Sequence, residues 1–402
     1  MAALKGIRVV DLTRYLSGPT ATMLLADLGA DVVKIEGLPH GDPARESGPF
    51  IGDESVYYLA SNRNKRSLAL DLRSPEGIEI CLQLIDQADV FVHNFRPGTV
   101  EKMGLGSAQL LERNPRLVYT SISGFGTRPP GDVLPGFDQT AQAMSGLMSV
   151  TGTEETGPLR VGIAIADSAT GVFAAAGVTA ALYERERTGR GCVVESSLME
   201  SMLSLMSYQA QKYLSLGLVP ESVGNDHPIM FPQGTFQTGD GVITLACGSE
   251  KMWSRLCEAL ERTDLSSNER FNTNAGRMAH RSELRLILEG ILGEQSADFW
   301  IPRINAYGVP CGPVLDLKQA LEHPVTAALD MVVSVPHPTL GTMKLLGQGV
   351  KVGGRDEPWL HSSPPLMGQD TDVVLRELGL SDDEVSDLAA RGVVRQVPRS
   401  EP

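Results

Sequence analysis

The order of apolar runs along this chain predicts an α/β protein built on a parallel sheet. Through residues 1–125, short β-branched runs alternate with stretches of helical length. Strands separated in this way pair in parallel through right-handed crossovers. The chain has 402 residues, 42% hydrophobic and 21% charged, a globular composition long enough for two or three domains.

Gly6-Ile7-Arg8-Val9-Val10-Asp11-Leu12 reads as a buried strand, and Gly18-Pro19 opens a helix over 20–28 that stops at Gly29. Residues 31–36 are a second strand and 67–72 a third. A helix over 75–86 follows, with Pro75 presetting φ in its first turn. Strands over 88–95 and 117–122 complete the alternation. A long small-residue helix runs over 167–187 and ends in the charged turn Glu184-Arg185-Glu186-Arg187-Thr188-Gly189-Arg190-Gly191. A strand over 192–196 and a helix over 198–216 come next. The helix carries a stripe of Met199, Met202, Leu203 and Met206 that reads as core packing. Composition shifts at Gly224-Asn225-Asp226-His227-Pro228, which marks a candidate second domain. That domain holds a strand over 242–247 and helices over 250–261, 282–292 and 297–307. Beyond Pro324 the chain is rich in strand formers and proline, and its final helix spans 370–378.

The formal net charge of −14 argues against nucleic acid and anionic membrane as partners, unless a local basic patch reverses the field. The densest apolar stretch, 172–182, is too short to span a bilayer, and the N-terminus lacks the pattern of a signal peptide. Five cysteines without a CxxC pair read as reduced thiols of a cytoplasmic protein. Seven isolated histidines and no Cys/His cluster predict no metal site.

There is no GxGxxG after the first strand, no GxxxxGK[ST] loop and no GxSxG elbow. Two features remain. Asp167 stands where an apolar segment meets a long helix. It reads either as an N-cap, satisfying a free helical N–H, or as a carboxylate nucleophile for a carbonyl or thioester. Local sequence leaves both open. The second feature is a run of basic and amide residues: Asn62, Arg63, Asn64, Lys65, Arg66 and Arg73, then Asn94, Phe95, Arg96 and Lys102. It is either a solvated face or a phosphate-binding site at the C-terminal ends of parallel strands.

An ordered set of segments resembles the class III CoA-transferase family, which includes formyl-CoA transferase, carnitine CoA-transferase and succinyl-CoA:dicarboxylate enzymes. The set comprises Leu12-Thr13-Arg14-Tyr15-Leu16-Ser17-Gly18-Pro19, Leu28-Gly29-Ala30-Asp31-Val32-Val33-Lys34-Ile35-Glu36, Asn64-Lys65-Arg66-Ser67, Asn94-Phe95-Arg96-Pro97-Gly98, Ala166-Asp167, the charged turn 186–191 and Gly308-Val309-Pro310-Cys311-Gly312-Pro313-Val314. It runs in order over about 4–394.

The resemblance implies an interlocked homodimer. Each subunit would have a large Rossmann-like domain made from both chain ends and a smaller inserted α/β domain. The corresponding division is 1–198 for the N-terminal part of the large domain, 199–224 for a linker helix, 225–330 for the small domain and 331–402 for the return. The resemblance also implies that Asp167 is the nucleophile, that coenzyme A and acyl-CoA are substrates, and that no tightly bound cofactor is needed. Ser17, Leu70, Arg73, Asn94, Phe95, Thr99 and Lys102 would hold CoA, with Tyr57, Phe137 and Asp138 near the acyl group. Two departures stand out. Gly37 replaces a basic residue often found after Lys-Ile-Glu, and Phe231-Pro232-Gln233-Gly234-Thr235-Phe236 stands where formyl-CoA transferase has a glycine-rich closing loop.

The implied activity is transfer of CoA from a donor such as succinyl-CoA to a small carboxylic acid. Segments 335–341, 364–369 and 389–394 look most like the succinyl-CoA:glutarate type. Arg14 and Arg45 are candidate cations for a distal carboxylate. One alternative is an α-methylacyl-CoA racemase-like epimerase. That family carries Gly-His-Asp where this chain has Gly136-Phe137-Asp138, and phenylalanine cannot move a proton. Another alternative is a non-catalytic CoA-thioester binding protein. The net charge is then an average that hides a basic pocket around Asn64, Lys65, Arg66, Arg73, Arg96 and Lys102.

Overall fold

The computed structural model describes residues 2–353 and 359–397. The chain forms two compact units. The first comprises Met1–Leu147, Val161–Gln211 and Ala328–Pro402, and the second Met148–Arg160 and Lys212–Ala327.

The first unit is built on strands β1 (Arg8–Leu12), β2 (Asp31–Gly37), β3 (Lys65–Leu70), β4 (Val90–His93), β5 (Val118–Ser123) and β6 (Val193–Ser197). They pair in parallel in the order β6-β5-β4-β1-β2-β3, and the short strand Val394–Arg395 adds antiparallel to β3. The order reverses between β1 and β4. In open parallel sheets ligands bind outside the C-terminal strand ends at such a reversal.

Successive side chains of a strand point to opposite faces, so Val- and Ile-rich strands bury both. Val10, Leu12, Val33, Ile35, Leu68 and Phe91 pack on one side. Their neighbours are Ile80, Cys81 and Ile85 of helix α2 (Pro75–Asp86) and apolar residues of the helices Thr371–Glu377 and Asp382–Ala390. Val9, Val32, Val90, Val92 and Val118 pack on the other side. They meet Ala21 and Leu25 of α1 (Ser17–Asp27), and Ala174, Val178 and Leu182 of a helix introduced below. Helix α2 begins as its sequence predicts. Pro75 occupies the first turn and the Ser74 hydroxyl accepts the Gly77 N–H at 3.0 Å.

Two further helices shape the site: α3 (Asp138–Met144) and α4 (Ile165–Thr188). Helix α4 stops at Gly189, whose φ of +72° suits only the left-handed cap. At 24 residues α4 is long and apolar enough to cross a membrane by length and composition, a property the 172–182 window did not reveal. Its buried stripe of Ala166, Ala174, Val178 and Leu182 is nevertheless spent on this unit.

The second unit carries an antiparallel sheet of Gln233–Gln237, Val242–Ala246 and Cys311–Pro313. Helices Glu250–Ala259, Arg281–Leu292 and Ala297–Ala306 surround a core of Trp253, Phe236, Leu288 and Trp300.

Three expectations change. The single helix over 198–216 is two, Leu198–Leu205 and Ser207–Leu216, broken where Ser207 takes φ +46°. Of its methionine stripe only Met202 is fully buried, while Leu203 is 46% exposed, so the stripe is not core along its length. The helix over 370–378 is also not the last. Asp382–Ala390 follows it, started by a capping box between Ser381 and Glu384.

Candidate functional site

Asp167 stands in the first turn of α4, partly buried, on the wall of a cavity of about 170 Å³. The cavity lies at the C-terminal ends of β1, β4 and β5. Arg14, Tyr15 and Ser17 follow β1; Asn94, Phe95 and Arg96 follow β4; Gly124 follows β5. Tyr57 and Phe137 close the wall, and Phe137 meets the Tyr15 ring edge-on with centroids 6.1 Å apart.

The first turn of α4 needs acceptors for its free N–H groups. Asp167 does not supply them. Asp138 does, from α3: its Oδ1 accepts the Ala166 N–H at 2.8 Å and the Asp167 N–H at 3.4 Å. Its Oδ2 accepts from Gln142 Nε2 at 2.7 Å, and Gln142 Oε1 accepts the Val161 N–H at 2.9 Å. Of the two readings of Asp167, the geometry removes the N-cap. Another carboxylate caps the helix, and that of Asp167 is left to the cavity. Asp138 itself, expected beside the acyl group, is buried under the α4 N-terminus with both oxygens occupied.

Burial, and after it the neighbouring Asp138 carboxylate, pushes Asp167 up to about 6, while a hydrogen bond from the Ser17 side chain pulls it down. The group is thus mostly ionised at neutral pH yet poorly solvated, as a carboxylate nucleophile needs to be. Burial, then the charge of Asp167, pushes Tyr57 up to about 12, so its hydroxyl stays a neutral donor. Ser17 reaches Asp167 because α1 and α4 approach closely at Gly171. A Cβ there would stand 2.8 Å from the Ser17 carbonyl oxygen and 2.8 Å from Thr20 Cβ.

A second cavity, about 520 Å³, lies along the ends of β1, β2 and β3, lined among others by Gly37, Leu72, Arg73, Phe95 and Met103. Arg14 and Phe95 line both cavities, with the guanidinium 4.1 Å from the ring centroid. The residues expected to hold CoA distribute around this pair. Ser17, Asn94 and Phe95 line the Asp167 cavity and Arg73 the larger one. Arg73 is largely exposed, with Nε on Asp71 Oδ1 at 2.7 Å. Thr99 and Lys102 lie on the helical turn Thr99–Lys102, the exposed Lys102 preceding Met103 of the larger cavity. Leu70 points into the core, and its carbonyl accepts the Leu38 N–H at 3.2 Å.

The basic run needs correction. Lys65 is buried on Asp11 Oδ2 at 3.1 Å, the Pro19 carbonyl and Asn62. Arg63 and Asn64 bind Asp27, and Arg66 bridges Asp31 and Glu377. These cations neutralise buried or nearby acids, so the hidden basic pocket loses Asn64, Lys65 and Arg66. Arg45 is likewise engaged, forked onto Glu36 at 2.6 and 2.7 Å and stacked 3.6 Å over Tyr58. Of the two candidate cations for a distal carboxylate, Arg14 alone faces the Asp167 cavity.

Sequence reasoning missed Gln142 and Tyr15. The i,i+4 spacing of Asp138 and Gln142 on one helix face was a usable signal. Tyr15, with φ +63°, carried none, since a bulky residue gives no hint of a left-handed conformation. Among the described residues lining the Asp167 cavity there is no histidine, and Phe137 stands at the position where the racemase motif has one.

Known proteins resemble this chain over nearly its whole length. Residues 4–371 match the profile of CoA-transferase family III. The human succinyl-CoA:glutarate CoA-transferase is 36% identical over 395 residues, covering 98% of this chain and 90% of that protein. The acetyl-CoA:oxalate CoA-transferase of Acetobacter aceti is 37% identical, covering 92% and 95%. Among solved structures, a CAIB/BAIF family protein from Brucella suis superposes with a TM-score of 0.83 at 34% identity, covering 94% of this chain and 99% of that one.

Proposed function

The chain belongs to CoA-transferase family III and is a CoA-transferase, and we propose that Asp167 carries the transferring groups between donor and acceptor. The observation that carries this reading is the division of labour at α4. Asp138 caps the helix, leaving the Asp167 carboxylate in the cavity with a raised pKa and the Ser17 side chain as its hydrogen-bond partner.

The reaction proceeds by four acyl substitutions that balance without a net proton. An Asp167 oxygen attacks the donor thioester carbonyl, the C–S bond breaks, and a mixed anhydride and CoA thiolate result. The thiolate attacks the Asp167 carboxyl carbon, releasing the donor acid and leaving an aspartyl-CoA thioester. The acceptor carboxylate attacks that thioester carbonyl, expelling the thiolate and forming the second anhydride. The thiolate then attacks the acceptor acyl carbon, and Asp167 leaves as a carboxylate. The Asp167 carboxyl alternates between anhydride and thioester, each an activated acyl group, which is covalent catalysis without metal or redox chemistry. Helix α1 begins at Ser17, on the wall of the same cavity, and in this reading the free N–H groups of its first turn meet developing oxyanions.

In this reading the nucleotide of CoA occupies the larger cavity beside Arg73, near Lys102. The pantetheine arm then passes the Arg14–Phe95 pair to reach Asp167. Arg14 suits a second carboxylate, and the acceptor is a dicarboxylic acid, with succinyl-CoA as the matching donor. The relatives named for glutarate and oxalate support that class. The reading extends to a Rossmann-like large domain, an inserted small domain and an interlocked homodimer. Support for the dimer is uncovered apolar surface on the first unit: Val172, Phe173 and Tyr183 of α4 are 42–69% exposed. Five free cysteines suit a reducing cytoplasm.

Substitution Asp167→Ala tests the assignment. Exchange of CoA between succinyl-CoA and a panel of carboxylic acids should vanish while CoA binding persists. Activity surviving the substitution refutes the role.

A further inference from the structure

Both ends of the Asn94 carboxamide are used on one backbone residue. Oδ1 accepts the Arg14 N–H at 2.8 Å, and Nδ2 donates to the Arg14 carbonyl at 2.7 Å. Asn94 is the first residue past β4, and Arg14 the second past β1. The pair therefore ties together the two loops that flank the reversal in strand order.

The neighbours of Arg14 are held as firmly. Buried Lys34 donates from Nζ to the Thr13 carbonyl at 2.8 Å, and Asp42 Oδ1 accepts the Tyr15 N–H at 3.0 Å. Lys34 and Asp42 also pair with each other at 2.8 Å, both side chains enclosed. Backbone groups on three successive residues thus go to side chains from three other parts of the unit. Tyr15 needs such restraint, because φ +63° is costly for a bulky side chain. Two residues further on the same loop delivers Ser17, whose side chain bonds to Asp167.

We propose that Asn94 is a positioning residue for acyl transfer. Its carboxamide locks the loop 13–17, so that Ser17 meets the Asp167 carboxylate and Arg14 and Tyr15 face the acyl group. It acts on turnover through that loop and not by contact with CoA. The inference rests on Asp167 being the acyl carrier, and the test separates the two.

The experiment compares Asn94→Ala and Asn94→Asp with the wild type, measuring kcat, CoA dissociation constant by calorimetry, and thermal midpoint on the full chain. Misplacing a reacting group by about 1 Å costs about 100-fold in rate. Asn94→Ala should therefore lower kcat by about 10- to 100-fold with the CoA dissociation constant held within about twofold. Asn94→Asp keeps the acceptor for the Arg14 N–H and loses the donor, so its kcat should fall between the two. A tenfold weaker CoA dissociation constant at unchanged kcat would make Asn94 a direct ligand and overturn the proposal. So would unchanged values of both. If both variants are recovered only unfolded, the clamp is a folding element and the proposal also fails. Covalent labelling of Asp167 in the wild type is read separately. Absence of label there indicts the Asp167 assignment, whatever the Asn94 variants do.

Discussion

Substituting Asp167 with asparagine removes one charge at nearly constant volume and leaves an acceptor for the Ser17 side chain. Burial and the Asp138 carboxylate hold Asp167 at about 6 against an ordinary 3.8. That difference of about two pH units corresponds to about 3 kcal/mol by which folding disfavours the ionised form. The sign follows from the direction of the shift. A carboxylic acid raised in the folded state binds its proton more readily there than in the unfolded chain. The cost of the charge is therefore complete above pH 6, shrinks between 6 and 3.8, and disappears below. Asp167→Asn should be more stable than wild type by about 2–3 kcal/mol at pH 8, while losing CoA exchange. Urea unfolding followed by circular dichroism at pH 8, 6 and 4 measures the gap, which should narrow as pH falls. The same ionisation predicts an acid limb in the wild-type kcat/KM profile near pH 6, with activity lost as pH drops through it. A variant no more stable than wild type at pH 8, or a gap independent of pH, would refute the burial argument. An acid limb near pH 4 would do the same.

Three other perturbations probe the surrounding framework. Asp138→Ala strips the cap of α4 and a negative neighbour of Asp167. Stability should fall by about 1–2 kcal/mol, and the acid limb of activity should move below pH 6, as a pH-rate profile checks. Gly171→Ala places a Cβ 2.8 Å from the Ser17 carbonyl and should cost about 1–3 kcal/mol, with kcat falling more than CoA binding. The two arginines that the sequence offered for carboxylate recognition should behave differently. Arg45→Met strips buried Glu36 of its forked ion pair, leaving it the Ser67 hydroxyl and the Asp42 N–H, and should lose about 3–5 kcal/mol in urea unfolding. Arg14→Met should leave stability nearly unchanged and raise KM for dicarboxylate acceptors more than for monocarboxylates.

The sheet was legible because its strands are short β-branched runs closed by recognisable turns. The strands predicted over 31–36 and 117–122 appear as Asp31–Gly37 and Val118–Ser123, and the helix over 75–86 as Pro75–Asp86. The break at Ser207 was not legible, since the flanking sequence carries no proline or glycine to announce it. The basic run misled for a physical reason. Lys65 finds Asp11 54 positions away and Arg63 finds Asp27 36 positions away, so pairing that spends these cations is invisible to local reading. The same distance hid the answer at Asp167. Its helix is capped by a residue 28 positions upstream of Ala166, and only the fold shows which aspartate caps the helix and which faces the cavity.

The reaction assigned to Asp167 makes one covalent species that no other arrangement of these residues would produce. The wild-type enzyme is incubated with succinyl-CoA, quenched in acid and digested, and the peptide containing Asp167 is examined by mass spectrometry. A CoA thioester on Asp167 is expected, absent from the Asp167→Ala variant and discharged by a dicarboxylic acid or by hydroxylamine. Steady CoA exchange with no adduct at Asp167, or an adduct on another residue, would contradict it.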